Sequence, residues 1–127
     1  MRIELTDDIA RCHAIRRAVF IEEQGIPEAD EWDDLDGQAI HLLAWYEGEA
    51  VGTARVLLDG ATGKIGRVCV LPVARGTGLG AQLIRAAVDV LRSRHGVSTA
   101  RLGAQVHAIG FYEKLGFTVV GDVYDDG

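Results

Sequence analysis

The stretch Leu71-Pro72-Val73-Ala74-Arg75-Gly76-Thr77-Gly78-Leu79-Gly80-Ala81-Gln82 decides the reading of this chain. It follows the apolar run Val68-Cys69-Val70-Leu71, whose composition suits a central strand that Pro72 ends. After it, Leu83, Ala86, Ala87, Val90 and Leu91 recur at helical spacing, which predicts a helix from about Gly78 to His95 closed by Gly96. A helix start carries unpaired backbone N–H groups and a partial positive charge. Glycines remove the Cβ atoms that would keep an anion from approaching those groups. Arg75 adds a permanent charge and a fork of donors. The stretch therefore reads as an anion site built mostly from backbone; the plainer alternative is a well-packed flexible turn. A Walker loop requires a lysine after its last glycine, and none follows Gly80. The dinucleotide fingerprint is G-x-G-x-x-G at a βαβ start, whereas the glycines here fall as G-x-G-x-G on a late strand.

Working outward, Arg2–Leu5 reads as a short strand, and Thr6 as the N-cap of a helix that runs to about Glu23 with Ile9, Cys12, Ile15, Val19 and Phe20 on one face. Gly25 and Pro27 stop it, and an acidic stretch follows as loop or short helix. Ala39–Tyr46 and Ala50–Leu58 predict an antiparallel hairpin turning at Glu47-Gly48-Glu49. Asp59–Gly63 reads as a turn and Lys64–Leu71 as the next strand. Beyond the long helix, Thr99–Gln105 reads as strand, His107–Leu115 as a short helix ended by Gly116, and Phe117–Tyr124 as a last strand. The order is βα, three strands, then αβαβ: a mixed α/β sheet with helices on both faces.

The 127 residues leave room for a single domain, residues 1–127, and one core. Hydrophobic content of 48% and charged content of 25% are ordinary for a folded protein. No segment reaches the ~18 apolar residues of a membrane span, and the N-terminus lacks a signal-peptide layout, so the expectation is a cytoplasmic chain without membrane contact. The net charge of −6 argues against nucleic acid as partner. Cys12 and Cys69 form no framework and read as core side chains. His13, His41, His95 and His107 show no metal spacing, so no metal is expected. The run Glu28, Asp30, Glu31, Asp33, Asp34, Asp36 is either a solvated loop or a negative field that draws a cationic acceptor toward a cleft.

Two motifs together carry a resemblance. Arg75-Gly76-Thr77-Gly78-Leu79-Gly80 resembles the R/Q-x-x-G-x-G/A loop of the GNAT superfamily of N-acetyltransferases, and Ala108-Ile109-Gly110-Phe111-Tyr112-Glu113-Lys114-Leu115-Gly116-Phe117 resembles its A-x-x-F-Y-x-x-x-G-F segment. Val19–Gly25, the His41 strand and Gly103–His107 are similar to the ElaA-like and YjcF-like subgroup. The resemblance implies a GNAT-like, mostly antiparallel central sheet flanked by helices on both faces, with a splayed pair of central strands, and acetyl-CoA as co-substrate. It also implies a use for each matching position. The loop amides of Gly76, Thr77, Gly78, Leu79, Gly80 and Ala81, with Arg75, would hold the coenzyme pyrophosphate. The backbone of Cys69 and Val70 would pair with the pantetheine arm.

In that family an amine attacks the thioester carbonyl, and a central-strand N–H polarises the carbonyl. Tyr112 would protonate the departing thiolate, or stand as a half-buried tyrosine whose hydroxyl finds a partner. The proton acceptor stays open among Glu22, Glu23, His41 and His107, or a water relay; each of these side chains also has a structural reading. The acceptor would be a small-molecule or peptide amine. The family carries one more strand than the sequence predicts here, so the sheet either lacks it or takes it from a partner, with a homodimer as one outcome. A coenzyme-binding sensor without turnover, or an interaction protein with a vestigial loop, are the competing functions.

Overall fold

The computed structural model describes residues 2–94 and 96–102. Its sheet is built from β1 (Arg2–Thr6), β2 (Ile40–Tyr46), β3 (Glu49–Asp59), β4 (Thr62–Val70) and β5 (Thr99–Leu102), in that spatial order. The first three pairings are antiparallel, and β4 pairs with β5 in parallel over Thr62–Ile65 and Thr99–Leu102. Helix α1 (Ile9–Arg16) continues as a π-helical stretch, Arg17–Glu23; α2 (Glu28–Glu31) is a single turn, and α3 (Leu79–Arg92) follows the glycine loop. The mixed, mostly antiparallel sheet matches the expectation. The expected parting of β4 and β5, the helix at 107–115 and the strand at 117–124 lie outside the described residues. None of the described helices is long and apolar enough to cross a membrane.

Strand alternation assigns each helix a face. Leu42 and Ala44 of β2 join Val51, Ala54, Val56 and Ile65 beneath Leu79, Leu83, Ile84, Ala87 and Leu91 of α3. Leu43 of β2 and Cys69 of β4 turn to the other face and pack with Cys12, Ile15, Val19 and Phe20. Helix α3 lies close to the sheet because the strands beneath it carry glycines. A Cβ on Gly63 would stand 2.1 Å from Leu91 Cδ2, and one on Gly52 would stand 3.0 Å from Leu83 Cδ1. Gly63 thus belongs inside β4, where a side chain would block the helix, and not in the turn that its residue type implied.

Helix α1 starts two residues later than expected. Asp8 caps it by accepting the Arg11 N–H at 3.2 Å, while Thr6 Oγ1 accepts the Asp8 N–H at 3.0 Å. The last residue of the π-helical stretch is followed by Gln24, whose N–H reaches back five residues to the Val19 carbonyl at 3.0 Å. Gly25, at φ +74°, then turns the chain away.

The acidic run is neither a solvated loop nor a free negative field. Arg16, 1% exposed, donates from Nε to Glu31 Oε2 and from Nη1 to Asp36 Oδ1, both at 2.8 Å. Arg55 of β3 donates to Asp33 Oδ1 at 2.8 Å and Asp36 Oδ1 at 3.1 Å. Arg67 of β4 lies 3.2 Å from Glu31 Oε2 and 3.6 Å from Asp33 Oδ2. Glu28, on the surface, pairs with Arg17. Only Asp30 and Asp34 stay exposed without an arginine partner among the described residues. The segment between α1 and β2 is thereby fastened to the sheet by charge.

A bulge brings Arg67 into this network. Thr53 pairs with Cys69 and Arg55 with Gly66, so one residue of β3 spans two of β4. Arg67 takes the left-handed φ of +51° at that point. For a residue with a Cβ this conformation costs about 1–2 kcal/mol, and it is held at a residue whose side chain meets Glu31 and Asp33.

Removing one partner of the buried pair should be costly. Glu31→Gln leaves Arg16 and Arg67 facing a neutral amide and should destabilise the fold by about 3–5 kcal/mol in urea unfolding; a loss under 1 kcal/mol would mean that water screens the cluster. Acid should act on the same contacts. Burial raises the Asp36 carboxyl, but hydrogen bonds from Arg16 and His13 outweigh it and hold the group well below its ordinary range; Asp33 is lowered likewise by Arg55. A carboxyl lowered on folding takes up its proton later than in the unfolded chain. The stability it supplies is therefore complete above about pH 5 and is lost as pH falls through the folded value. Asp36→Asn should remove much of that acid-dependent loss, read as a flatter plot of unfolding free energy between about pH 5 and pH 3.

Candidate functional site

Strand β4 and helix α3 meet in the glycine loop. Pro72–Ala74 forms a single 3-10 turn, and Arg75 leads out of it in extended conformation. Gly76 and Gly78 then take φ values of +81° and +84°. Both belong to the left-handed region, where side chains are strained, and a Cβ at either would meet nothing within 4 Å. The space that a side chain would fill at these glycines is therefore empty. Thr77 Oγ1 donates to the Ala74 carbonyl at 2.6 Å and ties the loop from within.

Gly78 is the N-cap of α3, and the first helical bond runs from the Gln82 N–H to its carbonyl at 3.1 Å. The amides of Leu79, Gly80 and Ala81 precede that bond and have no partner one turn back. The N-cap offers no side-chain acceptor for them. An unsatisfied helix start behind two bare glycines fits a phosphate group.

The end of β4 supplies a second element. Leu71 donates its N–H to the Val51 carbonyl at 2.7 Å, and the register places Cys69 opposite Thr53. Antiparallel pairing alternates, so Cys69 spends its backbone groups on β3 and Val70 turns its N–H and carbonyl to the opposite edge. Of the two residues expected to offer backbone to an extended ligand, only Val70 faces that way. The Cys69 thiol is buried and pushed far up by burial, which makes it core and not nucleophile.

The candidate side chains divide. Glu22 is exposed near the end of the π-helical stretch. Glu23 is held by Arg75, which donates from Nη1 at 2.6 Å and from Nη2 at 2.5 Å. That pairing lowers the Glu23 carboxyl. Arg75 also donates from Nε to the Val70 carbonyl at 3.0 Å. Its fork, expected to be open to an anion, is thus directed at protein groups. His41 is buried, and its Nε2 donates to the Asp36 carbonyl at 2.9 Å, the structural role among those open to it. His107 and Tyr112 lie outside the described residues. Sequence reasoning missed the Glu23–Arg75 pair, because nothing in a spacing of 52 residues marks the two as neighbours.

Known proteins resemble this chain over nearly its whole length. Residues 7–117 match the model of the acetyltransferase (GNAT) family. Protein ElaA of Escherichia coli is 37% identical over 116 residues, covering 88% of this chain and 76% of ElaA. The crystal structure of that protein superposes with a TM-score of 0.83 at 32% identity, over 99% of this chain and 94% of ElaA. An acyl-CoA N-acyltransferase from Pseudomonas aeruginosa superposes with a TM-score of 0.79 at 29% identity, over 97% and 93% of the two chains. The loop, the sheet order and these likenesses lead to one assignment: the chain belongs to the GNAT family of acetyltransferases.

Proposed function

We propose that this acetyltransferase moves an acetyl group from acetyl-CoA to the amine of a small molecule or peptide, by direct attack of the amine on the thioester. The observation that carries the coenzyme half of this reading is the loop itself. Gly76 and Gly78 hold left-handed conformations with open space on the side a Cβ would occupy, in front of a helix start whose amides no N-cap side chain satisfies. Those amides, from Gly76 through Ala81, bind the pyrophosphate. The outward N–H of Val70, whose carbonyl accepts from Arg75, orients the pantetheine arm along the edge of β4. Acetyl-CoA supplies an activated acyl group when bound.

The remaining roles rest on the family resemblance. Tyr112 donates its proton to the departing thiolate; a phenol of pKa about 10 is protonated at neutral pH, and a thiolate of pKa near 8.5 is a fair acceptor. Glu22 or His107, directly or through water, takes the proton of the amine. Coenzyme A release, followed by thiol detection over a panel of amines, amino acids, aminosugars and peptides, identifies the acceptor. Coenzyme binding without turnover on any of them would turn the reading into a sensor.

Two substitutions test the site. Gly80 has an ordinary φ, and a Cβ there would meet only Val70 Cγ2 at 3.9 Å, so Gly80→Ala should fold and bind acetyl-CoA within a few-fold of wild type. Gly80→Asp sets a carboxylate where the helix start itself tolerates it, yet against the pyrophosphate. At a separation of about 4 Å two such charges repel by about 4 kcal/mol, so calorimetry should show Kd raised by more than about 100-fold. Equal affinity of the two variants would sink the loop assignment. Tyr112→Phe should leave acetyl-CoA affinity unchanged and lower kcat by about 100-fold. Full kcat in that variant would leave Tyr112 as packing.

A further inference from the structure

We infer that Glu23 is a positioning residue for the coenzyme, and that Arg75 acts on coenzyme binding through Glu23 and Val70, not as a ligand of the pyrophosphate. The inference rests on the coenzyme reading of the glycine loop and assigns the work of the one charged side chain in it. Arg75 stands where the chain leaves the 3-10 turn and enters the loop. Its Nη1 and Nη2 lie on the two carboxylate oxygens of Glu23, at 2.6 and 2.5 Å, in the parallel fork geometry that a guanidinium and a carboxylate favour. Its Nε lies on the carbonyl of Val70, the last residue of β4.

Three separate elements meet at this one side chain: the end of the π-helical stretch, the end of β4 and the start of the loop. A guanidinium has five N–H donors in one plane. With one edge on Glu23 and Nε on Val70, the plane is fixed by two anchors, and the backbone of Arg75 is fixed with it. Gly76 follows directly at φ +81° and has no side chain of its own to hold its position. The Glu23–Arg75–Val70 tie thus sets where the glycine amides begin. Glu23 also places a negative charge on the guanidinium, which leaves little positive field for an anion beyond it. Both facts favour a tie over a direct phosphate contact.

The two roles predict opposite results, because a direct contact needs Arg75 alone and a tie needs both partners. Acetyl-CoA Kd is measured by calorimetry for wild type, Glu23→Gln, Arg75→Lys, Arg75→Ala and the double variant Glu23→Gln/Arg75→Ala. Glu23→Gln is nearly isosteric and Arg75→Lys keeps the charge, so both should fold, with melting temperatures without coenzyme close to wild type. The tie is partly exposed, so the expected weakening is modest, about fivefold, in each single variant. The double variant should be no weaker than Arg75→Ala. Arg75→Lys should lose as much as Arg75→Ala, since a lysine carries the charge but not the fork.

Three results would overturn the inference. One is unchanged or tighter coenzyme binding in Glu23→Gln beside a large loss in Arg75→Ala, which marks a direct phosphate contact with Glu23 as competitor. The second is a double variant whose loss is the product of the single losses. The third is full affinity in Arg75→Lys. A wild-type protein that binds no acetyl-CoA would instead remove the coenzyme reading, and this inference with it, whereas the three results above leave that reading standing.

Discussion

The burial of Arg16 is the constraint on which much of this structure depends. A guanidinium cannot give up its charge, so helix α1 can lie on the sheet only if carboxylates follow it out of water. Glu31 and Asp36 do so, each 2.8 Å from it, and they belong to the segment that leads from α1 back to β2. From Glu28 to Gln38 that segment adds no apolar side chain to the buried core; its buried side chains are Glu31 and Asp36. It is ordered because its acids are the counter-charges of arginines already fixed on the helix and the sheet. Arg55 and Arg67 extend the same logic to β3 and β4, so a single set of charges joins one helix, one loop and two strands.

The two faces of the sheet are consequently built by different physics. Under α3 the contacts are apolar and close, with Gly52 and Gly63 letting leucine side chains reach the strands. Under α1 an apolar patch around Cys12, Ile15, Val19 and Phe20 gives way to the ionic cluster. The apolar face tolerates changes of shape within limits set by volume. The ionic face is less forgiving, because any one group removed leaves another buried and uncompensated. Asp36 shows how shared these groups are: it accepts from Arg16, Arg55 and His13, while its own carbonyl receives His41.

How much of this was legible in the sequence follows from the range of the contacts involved. The hairpin of β2 and β3, the glycine loop and the long helix announce themselves through neighbours in the chain, and the structure places them within a few residues of the expected bounds. Glycine at 76 and 78 permits the left-handed backbone found there, but Gly80 of the same loop has an ordinary φ, so residue type does not say which positions take it. The acidic run was misread because its partners Arg55 and Arg67 stand on strands far along the chain, and composition cannot say which acids are neutralised. Gly63 looked like a turn residue because its reason, the Leu91 side chain above it, comes from α3. The bulge at Arg67 was hidden for a related reason: an arginine gives no hint of a left-handed φ, and its partner Glu31 stands 36 residues away in the chain. Of the candidate site, the glycine loop and the helix it opens were readable, while the partners of Arg75 and the edge that Val70 faces required the fold.

Strand β4 is where these separate constraints converge. At its middle, the bulge turns Arg67 toward Glu31 and Asp33, which anchors the strand to the helical segment on one face. At its end, Val70 gives its carbonyl to Arg75 and Leu71 gives its N–H to Val51, which anchors it to the loop and to β3. Between those anchors the strand changes register against β3, and Val70 comes out with its backbone groups turned to the far edge. A regular β4 would keep its pairing unbroken and would not shift the alternation between Arg55 and Thr53. The bulge that carries Arg67 to the ionic cluster therefore also decides which backbone groups β4 presents beside the glycine loop, so the cluster and the loop lie at two points of one irregular strand.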